Sequence, residues 1–225
     1  MKHAELLSIY IGRVANPWPG KEASAIGKTL VTGAQSLMSE GLVGDQQADR
    51  SVHGGPDKAV HVYCAAHYPV WRDELGRDDM VPGRFGENFA VSEWSEHDVC
   101  IGDVFTIGTA TVQISQGRQP CWKLAMHTGN DRMAYLFQTT GRTGWYFRVL
   151  ETGEVAAGDQ FTLIDRPCPD WSVADVTRAR LTRKVSTADA KTLSNLPELA
   201  DDWRRAFARF AGGDVAEDTS KRLGG

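Results

Sequence analysis

The amino-acid sequence predicts a β-rich α+β fold, a barrel or sandwich of short strands interrupted by occasional helices and followed by a small three-helix bundle. Three observations carry this prediction. From Leu6 to about Ile164, β-branched and aromatic runs are repeatedly broken by glycine. Two segments rhyme: 102–107 and 158–163 each run from a Gly-Asp turn into a Phe-Thr-aliphatic strand. At 166–170 two prolines in five residues can continue neither a ladder nor a helix, and the chain beyond them reads as helical.

Segment 59–64 alternates like a half-buried strand, and 99–105, 111–115 and 144–150 are further β-branched and aromatic runs. The rhyming pair predicts two equivalent turn-and-strand corners of one barrel. Segment 67–76 has an early proline and a terminal glycine, and 131–141 runs from Asp131, a candidate N-cap, to Gly141; both are expected to close barrel openings. Beyond the prolines, 172–182 opens on a Ser172/Asp175 cap and 186–194 on Ser186. Segment 197–211 starts at Pro197 and places Leu199, Trp203, Ala206, Phe207 and Phe210 on one stripe. The expected organisation is a barrel domain over 1–165, a linker over 166–170 and a helical module over 171–225, packed on the barrel or serving as a docking surface.

A chain of 225 residues, 41% hydrophobic and 24% charged, sustains one large core. No run approaches the roughly 18 apolar residues of a membrane helix, and the start lacks a signal-peptide pattern, so a cytoplasmic protein without membrane contact is expected. A net charge of −4 argues against nucleic acid as partner, so any anionic ligand must be held by local cations. Cys64, Cys100, Cys121 and Cys168 are too few for a disulfide scaffold, and none forms Cys-x-x-Cys, which leaves free thiols and no structural zinc.

Two clusters could carry chemistry. Around 44–60, paired Gly54 and Gly55 let the backbone approach a ligand, Arg50 and Lys58 supply charge, and His53 is a titratable donor. This is a phosphate or pterin cradle, or else a turn ahead of a strand with Lys58 solvated. In 115–129, Pro120 fits a first helical position and puts Cys121 in the first turn, where the macrodipole and the flanking Arg118 and Lys123 favour a thiolate. A metal ligand, a persulfide carrier and a nucleophile all need that. Cys64 and Cys100 read as small buried hydrophobes, and Cys168, between prolines, as exposed. Glu87-Asn88 could orient a heterocycle, and Arg142 and Arg148 could grip phosphate, although each also fits a capped loop. His3, His67, His97 and His127 show no partner in sequence, His61 reads as a strand residue, and no zinc-hydrolase or Ser-His-Asp order is present.

In combination, these motifs resemble the MOSC family. They are Gly41-to-Asp45, Asp49-to-Val60, Phe85-Gly86-Glu87-Asn88, Ile101-Gly102-Asp103, Gln116-to-Leu124 and Gly141-to-Val155. Within the family they resemble the group linked to resistance to N-hydroxylated purines such as 6-hydroxylaminopurine. The resemblance spans roughly Ala23 to Ile164, and the helical tail is similar to the module that follows the barrel in that group. It implies a mixed MOSC β-barrel and a molybdenum cofactor with Cys121 as thiolate ligand to the metal. It also implies two-electron reduction of N-hydroxylated bases, and pyridoxal phosphate binding is a further attribute of the family. His53, Lys58, Asn88, Arg118 and Lys123 match motif positions; Lys28 and Ser24 are secondary phosphate candidates. With no G-x-G-x-x-G after a strand, electrons must come from a separate reductase. A second copy, as a homodimer, is another expected partner. The rival readings are a sulfur carrier with a persulfide on Cys121, and a module that binds a phosphorylated ligand.

Overall fold

A computed structural model describes residues 4–49 and 54–216. Among the described residues the strands are β1 (Ala4–Gly12), β2 (Lys28–Val31), β3 (Gln35–Met38), β4 (Gly41–Leu42), β5 (Val60–Cys64), β6 (Phe89–Val91), β7 (Val104–Ile107), β8 (Ala110–Gly117), β9 (Trp145–Glu151), β10 (Gly153–Val155) and β11 (Gln160–Asp165). The helices are α1 (His67–Leu75), α2 (Trp122–Thr128), α3 (Met133–Thr140), α4 (Val173–Thr182), α5 (Thr187–Ser194) and α6 (Asp201–Ala211). None is long and apolar enough to cross a membrane.

Seven strands close a mixed barrel in the order β1-β6-β5-β9-β8-β7-β11, with β11 returning to β1 through Ala4↔Phe161 and Glu5↔Gln160. β2 extends the sheet along the far half of β1, and β3, β4 and β10 form a small separate sheet. β5 and β6 run parallel, because the chain leaves β5 through α1 and crosses back; the other barrel pairs are antiparallel.

The rhyming segments are adjacent strands. β7 pairs with β11 through Thr106↔Thr162 and Phe105↔Leu163. Their corners share one local geometry. Asp103 accepts a bond from Cys100 N (2.9 Å) and Asp159 one from Ala156 N (2.7 Å), while each aspartate N–H returns a bond to the same residue's carbonyl (3.1 Å in both). Gly102 (φ +83°) and Gly158 (φ +98°) supply the left-handed residue that each corner requires.

The barrel core centres on Phe89, Trp94, Phe105, Trp145, Phe147 and Phe161. A second cluster under α1 and α3 stacks Tyr63, Tyr68, Trp71, Phe85 and Phe137. Ser172 and Ser186 cap α4 and α5 as the sequence predicts, each accepting from the amide of Asp175 or Asp189. Two helix starts differ. α3 begins at Met133 behind Arg132 rather than at Asp131, and α6 begins at Asp201, because Leu199 and Ala200 are drawn into the core before the helix opens.

The tail shares its core with the barrel: Val173, Val176, Leu193, Trp203 and Phe207 belong to the same apolar cluster as the strand residues. The 166–170 segment is non-helical but pinned. Arg166 makes two bonds to the fully buried Asp103 (2.8 and 2.6 Å), and Cys100 bridges Ser172 in strand-like fashion. This overturns the expectation for Cys168, which is 6% exposed; burial, with the charge of Glu198 beside it, pushes its thiol up to about 12. Cys64 and Cys100 are buried, and burial raises Cys64 to about 11.

Because Phe207 is fully buried in the shared core, Phe207→Ala is expected to cost about 3–5 kcal/mol and to shift the single unfolding transition of the whole chain. Denaturant melts followed by far-ultraviolet dichroism and tryptophan fluorescence check this. An early transition confined to helical signal would show that the tail folds as a separate unit.

Candidate functional site

Where β2, β5, β9 and the start of α2 converge, the barrel mouth holds a cavity of about 100 Å³, room for several water-sized groups. Lys28, Asp45, Lys58, His61, Arg118 and Cys121 are in its wall, together with Ser24, Asn88, Lys123 and Tyr146.

Its frame is a buried carboxylate. Asp45 accepts bonds from Gly12 N (2.6 Å), Lys28 Nζ (2.5 Å) and Asn88 Nδ2 (2.9 Å). Burial lowers the Lys28 ammonium below its usual range, against the pull of Asp45. Asn88 also donates to Tyr10 O (3.1 Å) and accepts from His61 N (3.1 Å). Its amide therefore holds β1, β5 and β6 in register at the cavity and presents a wall rather than a spare donor.

His61 points the other way from its strand neighbours Val60 and Val62, which enter the barrel core. Its ring lies 3.4 Å from Arg118 Nη1 at both nitrogens and 5.1 Å, centroid to centroid, from Tyr146. Burial first, and the Arg118 charge second, hold His61 well below its ordinary value, so the ring is neutral. Arg118, 6% exposed, donates to Phe85 O (2.7 Å), and among the described residues no carboxylate stands within ion-pair distance of it. The sequence gives no hint of His61's role, because strand alternation cannot say which face meets a cavity.

Cys121 is half-buried and free. It is the N-cap of α2 with an extended backbone (φ −135°, ψ 165°), so it precedes the helix rather than occupying its first turn. Lys123, 5% exposed, donates to Ala23 O (3.1 Å) and lies 3.8 Å from Glu22. Lys58 is not solvated: its ammonium pairs with Asp202 at 2.9 Å. Gly55 (φ +89°) caps the 3-10 turn Pro56–Lys58; neither it nor Gly54 is among the described residues of the cavity wall. Arg50 and His53 lie outside the described residues.

The lesser candidates are engaged structurally. Glu87 accepts from Gly83 N (2.6 Å), Phe85 N (3.2 Å) and the Tyr68 hydroxyl. Arg142 stacks 3.9 Å above Trp71 and pairs with Glu74, while Arg148 pairs with Asp57. His67 does have a partner, Glu96, at 2.7 Å. Burial alone would raise the Glu96 carboxyl, but the bonds from His67 and Gly144 N hold it below its ordinary value.

A seven-stranded mixed barrel with a free thiol among buried cations at its mouth places the chain among MOSC barrels. It belongs to the MOSC domain family, the domain being matched over residues 49–162. Within the family it falls in the YiiM-like group. It is 34% identical to protein YiiM of Escherichia coli (strain K12) over 221 residues, covering 97% of this chain and 98% of that one. The crystal structure of YiiM from Geobacillus stearothermophilus superposes with a TM-score of 0.79 at 30% identity, covering 92% of this chain and 99% of that one. YflK of Bacillus subtilis (strain 168), an uncharacterized protein, is 40% identical over 91% of this chain and 93% of its own. A protein named reductase from Gibberella moniliformis (strain M3125 / FGSC 7600) is 38% identical over 87% of this chain and 36% of its own length.

A histidine held neutral in the fold but free to protonate near 6.5 when unfolded contributes stability that is present above about pH 6.5 and lost as pH falls toward its folded value. Wild type should therefore lose up to about 1 kcal/mol between pH 6.5 and 5.5 relative to His61→Gln. Urea melts of the two proteins across that range measure it. A pH-independent gap would mean that the buried ring takes up its proton normally.

Proposed function

We propose that the protein is an oxidoreductase that holds a molybdenum cofactor at the barrel mouth, with Cys121 as thiolate ligand to the metal, and reduces N-hydroxylated bases such as 6-hydroxylaminopurine. The observation that carries this is the placement of the thiols: Cys121 alone of the four lies at the cavity, beside Arg118 and Lys123, while Cys64, Cys100 and Cys168 are buried elsewhere.

The residues present fit such a group. Among the described residues no three His, Cys, Asp or Glu side chains converge to hold a metal ion, so the protein offers one soft donor and the ligand would supply the others. Arg118, without a carboxylate partner among the described residues, and Lys123 suit an anionic pterin, and Lys58 suits its phosphate; Arg50 and His53 are candidates by their motif positions alone. Each lysine of the wall is already bonded, Lys28 to Asp45, Lys58 to Asp202 and Lys123 to Ala23, so an anionic ligand must share or displace those partners.

Bound there, a molybdenum cofactor supplies two-electron chemistry suited to N–O cleavage, in which R–NHOH, two electrons and two protons give R–NH₂ and water. The chain's own groups set the surroundings. Burial raises the Tyr146 hydroxyl above its usual range, so Oη keeps its proton and can offer a hydrogen bond, and the neutral His61 ring can accept a hydrogen bond at its unprotonated nitrogen. Electrons come from a separate reductase. The likeness to a protein named reductase supports the reaction class.

Cys121→Ser keeps the side chain's size and loses the thiolate. It should abolish metal retention and N-hydroxylamine reduction with little change in melting temperature, whereas Cys64→Ser or Cys100→Ser should cost about 1–3 kcal/mol and spare the chemistry. Metal content by native mass spectrometry, read alongside thermal melts, makes the comparison. Persulfide sulfur on Cys121 without metal would replace the enzyme by a sulfur carrier. An early-melting Cys121→Ser protein that remains active per folded molecule would remove Cys121 from the site.

A further inference from the structure

Lys58 forms part of the cavity wall, yet its partner comes from the helical tail. Asp202, 144 positions away on the first turn of α6, places Oδ2 2.9 Å from Lys58 Nζ. The helix is fixed at this spot by bonds of its own. Asp57 Oδ2 accepts from Asp201 N (3.2 Å), Ser115 O accepts from Ala200 N (2.9 Å), and Ser115 Oγ donates to Asp57 O (2.6 Å). Arg148 holds the other Asp57 oxygen at 2.8 Å. The tail thus delivers a carboxylate to the cavity rim from a rigid platform. Lys58 is only 15% exposed in its side chain and Asp202 is 42% exposed, so water can reach and solvate Asp202 if the pair opens, while Lys58 stays facing the cavity.

We infer that Asp202 is the resident counter-ion of Lys58 and competes with the anionic part of the site's ligand, so that the helical tail sets the anion affinity of the barrel. The inference rests on the reading that Lys58 contacts the phosphate of a bound cofactor. A phosphate arriving at Lys58 must displace the Asp202 carboxylate or bear its repulsion; either lowers affinity relative to a bare lysine, and selects ligands with enough charge to win the exchange.

The test uses the full chain without cofactor and inorganic pyrophosphate as the probe, titrated by calorimetry. Asp202→Asn keeps the shape and removes the charge, and should bind pyrophosphate about 3- to 10-fold more tightly than wild type. Asp202→Glu, which keeps the charge, should return the affinity toward wild type; loss of a merely structural contact would weaken binding in both variants. Lys58→Gln should bind several-fold more weakly, and adding Asp202→Asn to it should tighten binding by less than Asp202→Asn does alone, since the competition acts through the pair and only the direct repulsion remains without it. If Lys58→Gln weakens binding while Asp202→Asn leaves it unchanged or weaker, the counter-ion role is wrong and the phosphate reading stands. If Lys58→Gln binds as wild type does, both fall.

Discussion

The cavity depends on one buried carboxylate. Asp45 takes three donors from three parts of the chain: the end of β1 through Gly12 N, the start of β2 through Lys28, and the head of β6 through Asn88. A carboxylate removed from water is tolerable only when so fully bonded, because the idealised penalty of burying a bare ion is many kcal/mol. The requirement works in both directions. Asp45 must be surrounded to be buried, and once surrounded it fixes the strand ends that carry His61 and Asn88.

Charge is distributed unevenly around that frame. Lys28 is matched by Asp45, Lys58 by Asp202 and Lys123 in part by Glu22, each at a different degree of exposure. Arg118 is satisfied by a carbonyl and borders a neutral histidine, so its positive charge is left without a matching carboxylate among the described residues. A chain with a net charge of −4 therefore keeps a local positive field at the barrel mouth, enclosed by low-dielectric walls that strengthen it. The half-buried thiol of Cys121 lies within that field.

Much of this was legible in the sequence, and the part that was not has a common cause. The Gly-Asp corners were readable because their reciprocal turn bonds are local, closing over three residues. Cys121 stood out because Arg118, Pro120 and Lys123 are its immediate neighbours. Its place one residue ahead of the helix was missed, since Pro120 fits either side of a helix start. Asp45 and Tyr146 fall within the motifs, but their roles, like that of Asp202, depend on contacts from distant parts of the chain, and His61 was hidden because both faces of β5 are buried. Cys168 was misread for the same reason: local prolines argued for exposure, and the packing of the tail decided otherwise.

The seam that closes the barrel has a consequence for the order of assembly. β1 meets β11 through two residue pairs, Ala4↔Phe161 and Glu5↔Gln160, a pairing between nearly opposite ends of the barrel sequence. Chain entropy makes so remote a contact slow to form, and β11 is the last barrel strand to leave the ribosome. The same β1 carries Gly12, whose N–H anchors Asp45. Until the seam shuts, the first residues of β1 are held on one flank only, by β6, while β2 already pairs the half that carries Gly12. The edge of the cavity is thereby set by nearby pairings, and the late seam is needed to shut the core rather than to shape the site.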